Sequence, residues 1–153
     1  GSITFDPLAS VADPLTASKV VLLDSIISNI DRTVKNPNVL NWNKELWVID
    51  NGASFYFHHN WETWENHLTR TFPLIKDHVL LDRASKFDEA SQQIIEKLSL
   101  NTIDTIINTI PEDWLINESD TFTPNQMKAA YKTYLNSRLE KINLLVKEAK
   151  DAR

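Results

Sequence analysis

Asp31, Asn36 and Asp50 carry oxygen-bearing side chains that could do chemistry if the fold brings them together. A carboxylate and a side-chain amide are oxygen ligands that suit Mg²⁺, a hard cation that keeps several of its waters. A further aspartate could accept the proton of an attacking hydroxyl group. These residue types therefore predict a phosphoryl-transfer site, in which Mg²⁺ and positioned charges do most of the work.

Two cations lie in the loop that begins at Asp31. Arg32 and Lys35 would lie close to any phosphate group held at such a site. The alternative is purely structural, because Asp and Asn are common in loops, where their side chains often only cap a turn. The spacing of these residues leaves both interpretations open.

A β-hairpin is the element that would position the three residues. Residues 39–42 and 46–50 are rich in aliphatic and aromatic side chains, and they flank a plausible turn at residues 43–45. Pairing about Lys44 places Asn38 opposite Asp50, with Trp42 and Trp47 packed across the strands. Asn36 then lies just beyond the paired strands on the side of Asp50, so we expect the three side chains to converge.

A helix that delivers the chain to this loop is indicated by Asp13-Pro14, in which Asp is a helix cap and Pro occupies the first turn. The helix is predicted to run to about residue 30. Its apolar spacing predicts that the buried face consists of Leu23, Ile26, Ile27 and Ile30, and that Asp24, Ser25 and Ser28 lie off that face.

The rest of the chain is predicted to be one extended lead-in, one further strand and several helices. The lead-in covers residues 3–12, and the strand covers residues 54–59. Helices are expected at residues 60–70, at 85–98 behind a capping box that starts at Ser85, and at 101–110 behind an Asn101 cap. A Thr123-Pro124-Asn125-Gln126 capping box opens a last helix that runs to about residue 150.

The composition excludes several classes of site. The chain has 2 glycines, where average usage gives roughly 11, so it contains no glycine-rich phosphate loop. It has no cysteine, which excludes disulfide scaffolds and cysteine nucleophiles and fits a cytoplasmic location. Its net charge of −5 argues against nucleic acid as a partner, and no apolar run is long enough for a membrane span.

Asp31-Arg32-Thr33-Val34-Lys35-Asn36, followed by Leu46-Trp47-Val48-Ile49-Asp50-Asn51-Gly52, resembles the catalytic core of bacterial HipA-like kinases. These enzymes share a protein-kinase/phosphatidylinositol-kinase-like fold. The resemblance implies an α+β, mainly α-helical fold class: the C-terminal lobe of a kinase-like fold, with a small β-hairpin that carries the metal site.

The resemblance also implies a role for each residue of the motif. Asp31 matches the catalytic aspartate that orients or deprotonates the acceptor hydroxyl, while Asn36 and Asp50 match the ligands of Mg²⁺ on ATP. Gly52 matches the glycine of the DFG-like motif, where we expect it to let the backbone turn sharply beside a metal-binding carboxylate. Asn51 departs from the pattern, because this branch has His there and ordinary protein kinases have Phe.

The implied reaction is transfer of the ATP γ-phosphate to a hydroxyl group, most readily Ser or Thr of a protein. Residues 1–2 look like an expression scar, and residues 3–153 match the C-terminal lobe alone, so we expect a truncated chain that is inactive without an N-lobe. Some relatives are toxins of toxin–antitoxin pairs, which makes an antitoxin-like regulator a candidate partner.

A second hypothesis is a non-catalytic, helical protein-interaction module, or an inert fragment that needs a partner chain. Its support is the lack of a lysine-bearing N-lobe before residue 3. Both hypotheses predict an exposed apolar patch where an N-lobe would dock, and this patch could also drive dimer formation.

Overall fold

The computed structural model describes residues 1–116 and 121–153 and is mainly helical. Its α-helices are α1 (Pro14–Ile27), α2 (Phe87–Lys97), α3 (Leu100–Asn108), α4 (Pro124–Glu140) and α5 (Ile142–Ala152). Its strands are β1 (Ile3–Thr4), β2 (Val39–Trp42) and β3 (Glu45–Val48). Short 3₁₀ helices cover Tyr56–His59, Trp61–His67, Pro73–Asp77, Leu81–Arg83 and Glu112–Trp114.

The predicted hairpin is confirmed, but its turn is one residue shorter than expected. Trp42 pairs with Glu45, so Asn43 and Lys44 form a two-residue turn in which both have positive φ. Such a turn matches the twist of the flanking strands. The shorter turn shifts the register by one residue, and Asn38 therefore bonds to Ile49 rather than lying opposite Asp50.

The lead-in and the hairpin form one antiparallel sheet in the order β1-β2-β3. Trp42 and Trp47 pack across the hairpin with their ring centroids 4.9 Å apart, as predicted. Leu46 and Val48 point the other way, into the main core, because successive strand residues face opposite sides. The outer face of the hairpin thus keeps its aromatic side chains half exposed.

Helix α1 starts as predicted, since the Asp13 carboxylate accepts from the Thr16 amide at 2.8 Å. The predicted buried face is only partly right, because Ile26 is fully buried as expected but other positions differ. Asp24 and Ser25 are buried, whereas Leu23 and Ile30 are more than one-third exposed. The reason is that α1 lies between α2, α4 and α5 and is covered on almost every side, so apolar spacing alone could not identify its buried face.

The strand predicted at residues 54–59 and the helix predicted at 60–70 are both wrong, because two 3₁₀ helices cover these segments. The aromatic residues that suggested a strand instead fill a cluster against α4. Phe57 lies at its centre, with ring centroids 4.8 Å from Tyr134 and 5.6 Å from Trp61. Packing against α4 has therefore overridden the local β propensity.

The described C-terminal part contains four α-helices where three were predicted, and their ends also differ from the prediction. The Thr123 capping box is present in full at the start of α4. The Ser85 box is not, since α2 begins at Phe87 without a side-chain cap, and Ser99 rather than Asn101 caps α3. The long last helix is interrupted at Lys141, which separates α4 from α5.

The main core joins α1, α2 and α5 to the inner face of the sheet and to residues 72–84. Its fully buried members include Phe5, Leu22, Val39, Ile75 and Leu80. This core fixes the end of α1 and the base of the hairpin relative to each other. Within residues 1–116 and 121–153, no helix has both the length and the apolar character needed to cross a membrane.

Candidate active site between the α1 loop and the hairpin

The loop that follows α1 begins with a firm anchor. Helix α1 ends at Ile27, and Ser28 adopts a left-handed conformation with φ 52°. The Ser28 hydroxyl lies 2.8 Å from the Tyr134 hydroxyl on α4. Burial raises the pKa of Tyr134, so the ring stays neutral and this hydroxyl pair ties the start of the loop to α4.

Asp31 and Asn36 are in direct contact. Asn36 Nδ2 donates to Asp31 Oδ2 at 2.7 Å, and Asn38 Nδ2 donates to the same oxygen at 3.3 Å. Two backbone hydrogen bonds between Thr33 and Asn36 close the loop on itself. Both bonds use Asp31 Oδ2, so neither of them occupies Asp31 Oδ1 or Asn36 Oδ1.

Asp50 follows directly on the hairpin and is exposed. The Ile49 amide donates to the Asn38 carbonyl at 3.0 Å, and Asn38 also bonds to Asp31 through its side chain. Asp50 is therefore one residue from the network that holds Asp31. The backbone of Asp50 is left-handed with φ 48°, and its Oδ1 accepts from the Gly52 amide at 3.4 Å.

The sharp turn expected at Gly52 lies at Asp50 instead. Gly52 has no positive φ, and a Cβ added there would meet only Asp50 Oδ1, at the ordinary contact distance of 3.4 Å. The aspartate can take the left-handed conformation because its short polar side chain bonds locally. The expectation that Gly52 lets the backbone turn sharply is thus wrong. The remaining reason to assign Gly52 to the site is that it matches the glycine of the DFG-like motif.

Arg32, expected beside a phosphate, is buried at 1% exposure, and its guanidinium faces inward. Its Nε donates to Asp24 Oδ2 at 2.5 Å. Its Nη1 donates to the carbonyls of Asn38 and Ile49, and its Nη2 donates to Asn51 Oδ1. A side chain with these commitments is not available to a phosphate group, so the expected phosphate contact is wrong and Arg32 acts inside the fold.

Asp24 and His78 complete a buried network that the sequence did not reveal. His78 Nδ1 accepts from the Leu80 amide at 3.0 Å, so the ring proton is on Nε2, which lies 2.9 Å from Asp24 Oδ2. The histidine is thus a neutral donor to the carboxylate. The apolar spacing of α1 placed Asp24 off the buried face, so the spacing gave no signal that this carboxylate is buried and paired.

Lys35 is exposed and forms no ion pair with any residue of the described chain. It lines a groove between the α1 loop and residues 76–83, together with Lys76 and the carboxylates of Asp77 and Asp82. Unlike Arg32, its ammonium group is free to meet an anion from solvent.

The donors of the site fit Mg²⁺ in kind. Asp50 offers a carboxylate and Asn36 an amide oxygen, and hard oxygen ligands with room for water are what Mg²⁺ requires. Across the described residues, no group of three or more His, Cys, Asp or Glu side chains could hold a metal ion. A cation held by Asp50 and Asn36 would have to take its other ligands from water and phosphate.

Comparison with known proteins identifies the family of the chain. A search of curated proteins and a search of solved structures each returned no significant match. A family model described as HipA-like kinase matches residues 2–144, which include α1, the loop, the hairpin, all of α4 and the first residues of α5. That match covers nearly all of the sequence, and the chain therefore belongs to the HipA-like kinase family.

Proposed function

We propose that this chain carries the catalytic residues for transfer of the ATP γ-phosphate to a hydroxyl group, most readily Ser or Thr of a protein. The observation that carries the proposal is the bond from Asn36 to Asp31 and its continuation through Asn38 and Ile49 to Asp50. Membership of a kinase family supports the same reaction class.

Asp31 is the group that we assign to the acceptor. Its Oδ2 accepts from two amide groups, which orient the carboxylate and leave Oδ1 to accept the hydroxyl proton. Asn36 and Asp50 would hold Mg²⁺, which when bound would neutralise the charge of the ATP phosphates. Lys35, which is exposed and lies one residue before Asn36, would bind a phosphate oxygen from the solvent side.

A kinase site also needs a second lobe that covers the ATP phosphates. We propose that such a lobe docks on the outer face of the hairpin. Trp42 and Trp47 are 42% and 44% exposed there, and Ile49 continues the apolar surface towards Asp50. An aromatic pair exposed to this degree beside a candidate nucleotide site is typical of a surface that another protein segment covers.

The proposal is tested by separating ATP binding from phosphoryl transfer. ATP binding to the chain is measured by calorimetry with and without Mg²⁺. Transfer is measured with γ-labelled ATP on an array of Ser- and Thr-containing peptides, after a kinase N-lobe has been joined to the chain. Asp50→Asn should abolish Mg²⁺-dependent ATP binding. Asp31→Asn should retain that binding and lower transfer by about 10²–10⁴-fold, the range for loss of a general base.

Asn is the replacement of choice at position 50, because it tolerates the left-handed backbone that Asp50 adopts, whereas Ala would add strain. The matched control is Asp113→Asn, the same change at an exposed carboxylate on the Glu112–Trp114 turn. Wild-type binding and transfer in both site variants would refute the proposal, as would a wild-type protein that shows no Mg²⁺-dependent ATP binding.

A further inference from the structure

The Arg32 guanidinium reaches both loops of the candidate site. Its Nη1 donates to the Asn38 carbonyl at 2.5 Å, on the loop that holds Asp31, and to the Ile49 carbonyl at 3.0 Å, next to Asp50. Its Nη2 donates to Asn51 Oδ1 at 2.5 Å, on the other side of Asp50. Asp50 is thus flanked by two residues that bond to the same guanidinium.

Both chain segments leave the hairpin in an unusual conformation at this point. Asn38 and Asp50 are left-handed, with φ of 47° and 48°. Residues other than glycine rarely adopt this conformation, and it persists where the surroundings hold it. The carbonyls that Arg32 binds are those of Asn38 itself and of the residue before Asp50, so the bonds lie where the two segments turn.

The guanidinium is itself held rigidly. Asp24, on α1, receives the Arg32 Nε and also the His78 Nε2, and both the Arg32 and Asp24 side chains are fully buried. The planar fork of an arginine loses little freedom for each hydrogen bond that it forms. Helix α1 therefore sets the position of Arg32. Through Arg32, both site loops are bonded to the same fixed helix.

We infer that Arg32 and Asn51 form a positioning link that fixes the direction of the Asp50 carboxylate relative to Asp31 and Asn36. Neither residue touches a substrate, and both act through Asp50. The inference rests on the proposed function, because it concerns the Mg²⁺ ligands assigned there. Groups that orient a metal ligand typically change metal affinity or activity by roughly 10–100-fold when they are removed.

Asn51 gives the cleaner test, because it is exposed while Arg32 is buried against a carboxylate. Asn51→Leu keeps the size of the side chain and removes the acceptor. We expect it to raise the Mg²⁺ concentration for half-maximal ATP binding roughly 10–100-fold with little change in thermal midpoint. Asn51→Asp keeps an acceptor oxygen for Arg32 and should restore the wild-type requirement.

A second readout needs neither metal nor ATP. The Ile49 amide, which donates to Asn38, should exchange its hydrogen faster in Asn51→Leu than in the wild type and in Asn51→Asp, because the link no longer holds the two segments. Asn143→Leu, the same change on the exposed side of α5, is the matched control and should alter neither readout.

The inference is overturned if Asn51→Leu leaves both the Mg²⁺ requirement and the Ile49 exchange unchanged, or if Asn51→Asp behaves like Asn51→Leu. Asp50→Asn separates this failure from failure of the proposed function. If Asp50→Asn abolishes Mg²⁺-dependent ATP binding while Asn51→Leu has no effect, the link alone is wrong. If wild-type protein binds no ATP, the proposed function is wrong, and the metal-free exchange still decides the link.

Discussion

Two arginines are buried in the described part of the chain, and their surroundings differ. Arg32 bonds to the Asp24 carboxylate through Nε and Nη2, and its two Nη atoms also reach three acceptors on the two site loops. Arg138, on α4, donates only to backbone carbonyls, those of Arg70 and Ser25, and its Nε has no partner. Desolvation lowers the pKa of Arg138, with weaker opposing effects from Tyr134 and Glu148.

The two buried guanidinium groups therefore have different roles: Arg32 positions residues of the candidate site, whereas Arg138 fills space between packed segments. A buried cation is costly unless it is paired. At Arg32 the charge is balanced by Asp24, and the fork then fixes the segments on either side of Asp50. At Arg138 the charge is left without a contacting carboxylate, and the side chain fills the space between α1, α4 and the segment at residue 70.

The largest effect should come from removing the partner of Arg32. Asp24→Asn leaves a buried guanidinium without a counter-charge and replaces one acceptor by a donor that faces Arg32 and His78. We expect a loss of about 3–5 kcal/mol in the free energy of unfolding, measured by urea denaturation. A loss close to that of Asp113→Asn, which changes an exposed carboxylate, would show that Arg32 does not depend on Asp24.

A smaller loss should follow removal of the second arginine. Arg138→Met deletes the buried charge, keeps most of the apolar stem and leaves two backbone carbonyls without these donors. The expected cost is about 1–3 kcal/mol by the same measurement, since an unsatisfied buried acceptor costs about that much. A cost equal to or above that of Asp24→Asn would break the comparison between the two arginines.

The smallest effect should be electrostatic and should appear at His67. Desolvation lowers the pKa of His67 from its ordinary 6.5, and the charges of Arg70 and Arg138 lower it further. The unfolded chain therefore takes up this proton first, and stability should fall slightly as the pH drops below 6.5 towards the folded pKa. In Arg138→Met, an NMR titration should give a higher His67 pKa than in the wild type, and an unchanged or lower value would contradict the account.

Sequence reasoning succeeded where the signal is local. The caps at Asp13 and Thr123 each satisfy backbone amides within the same turn, so residue types a few positions apart determine them. The hairpin could also be predicted from nearby residues. Its two-residue turn could not, because it depends on the left-handed conformations of Asn43 and Lys44, which residue spacing does not reveal. Asp31 and Asn36 were brought together as predicted because one short loop contains both.

Sequence patterns give wrong predictions where packing between segments far apart in the chain determines the local structure or the partner of a side chain. Residues 54–59 have strand-like composition, yet Phe55 and Phe57 pack against Tyr134 across the chain, and a 3₁₀ helix results. Arg32 looked like a phosphate ligand because nothing in its loop reveals Asp24 as its partner on α1. The left-handed turn was assigned to Gly52 on residue type, whereas the bonds around Arg32 place it at Asp50.

The central claim is that Asp31, Asn36 and Asp50 belong to one Mg²⁺–ATP site, and a paramagnetic probe tests it most directly. Mn²⁺ with ATP is titrated into isotope-labelled protein, and the amide signals of Asn36 and Gly52 are followed by NMR. The account predicts that both signals broaden over the same concentration range and that Asp50→Asn removes the broadening of both. Broadening of only one of them, or of neither, would contradict a shared site.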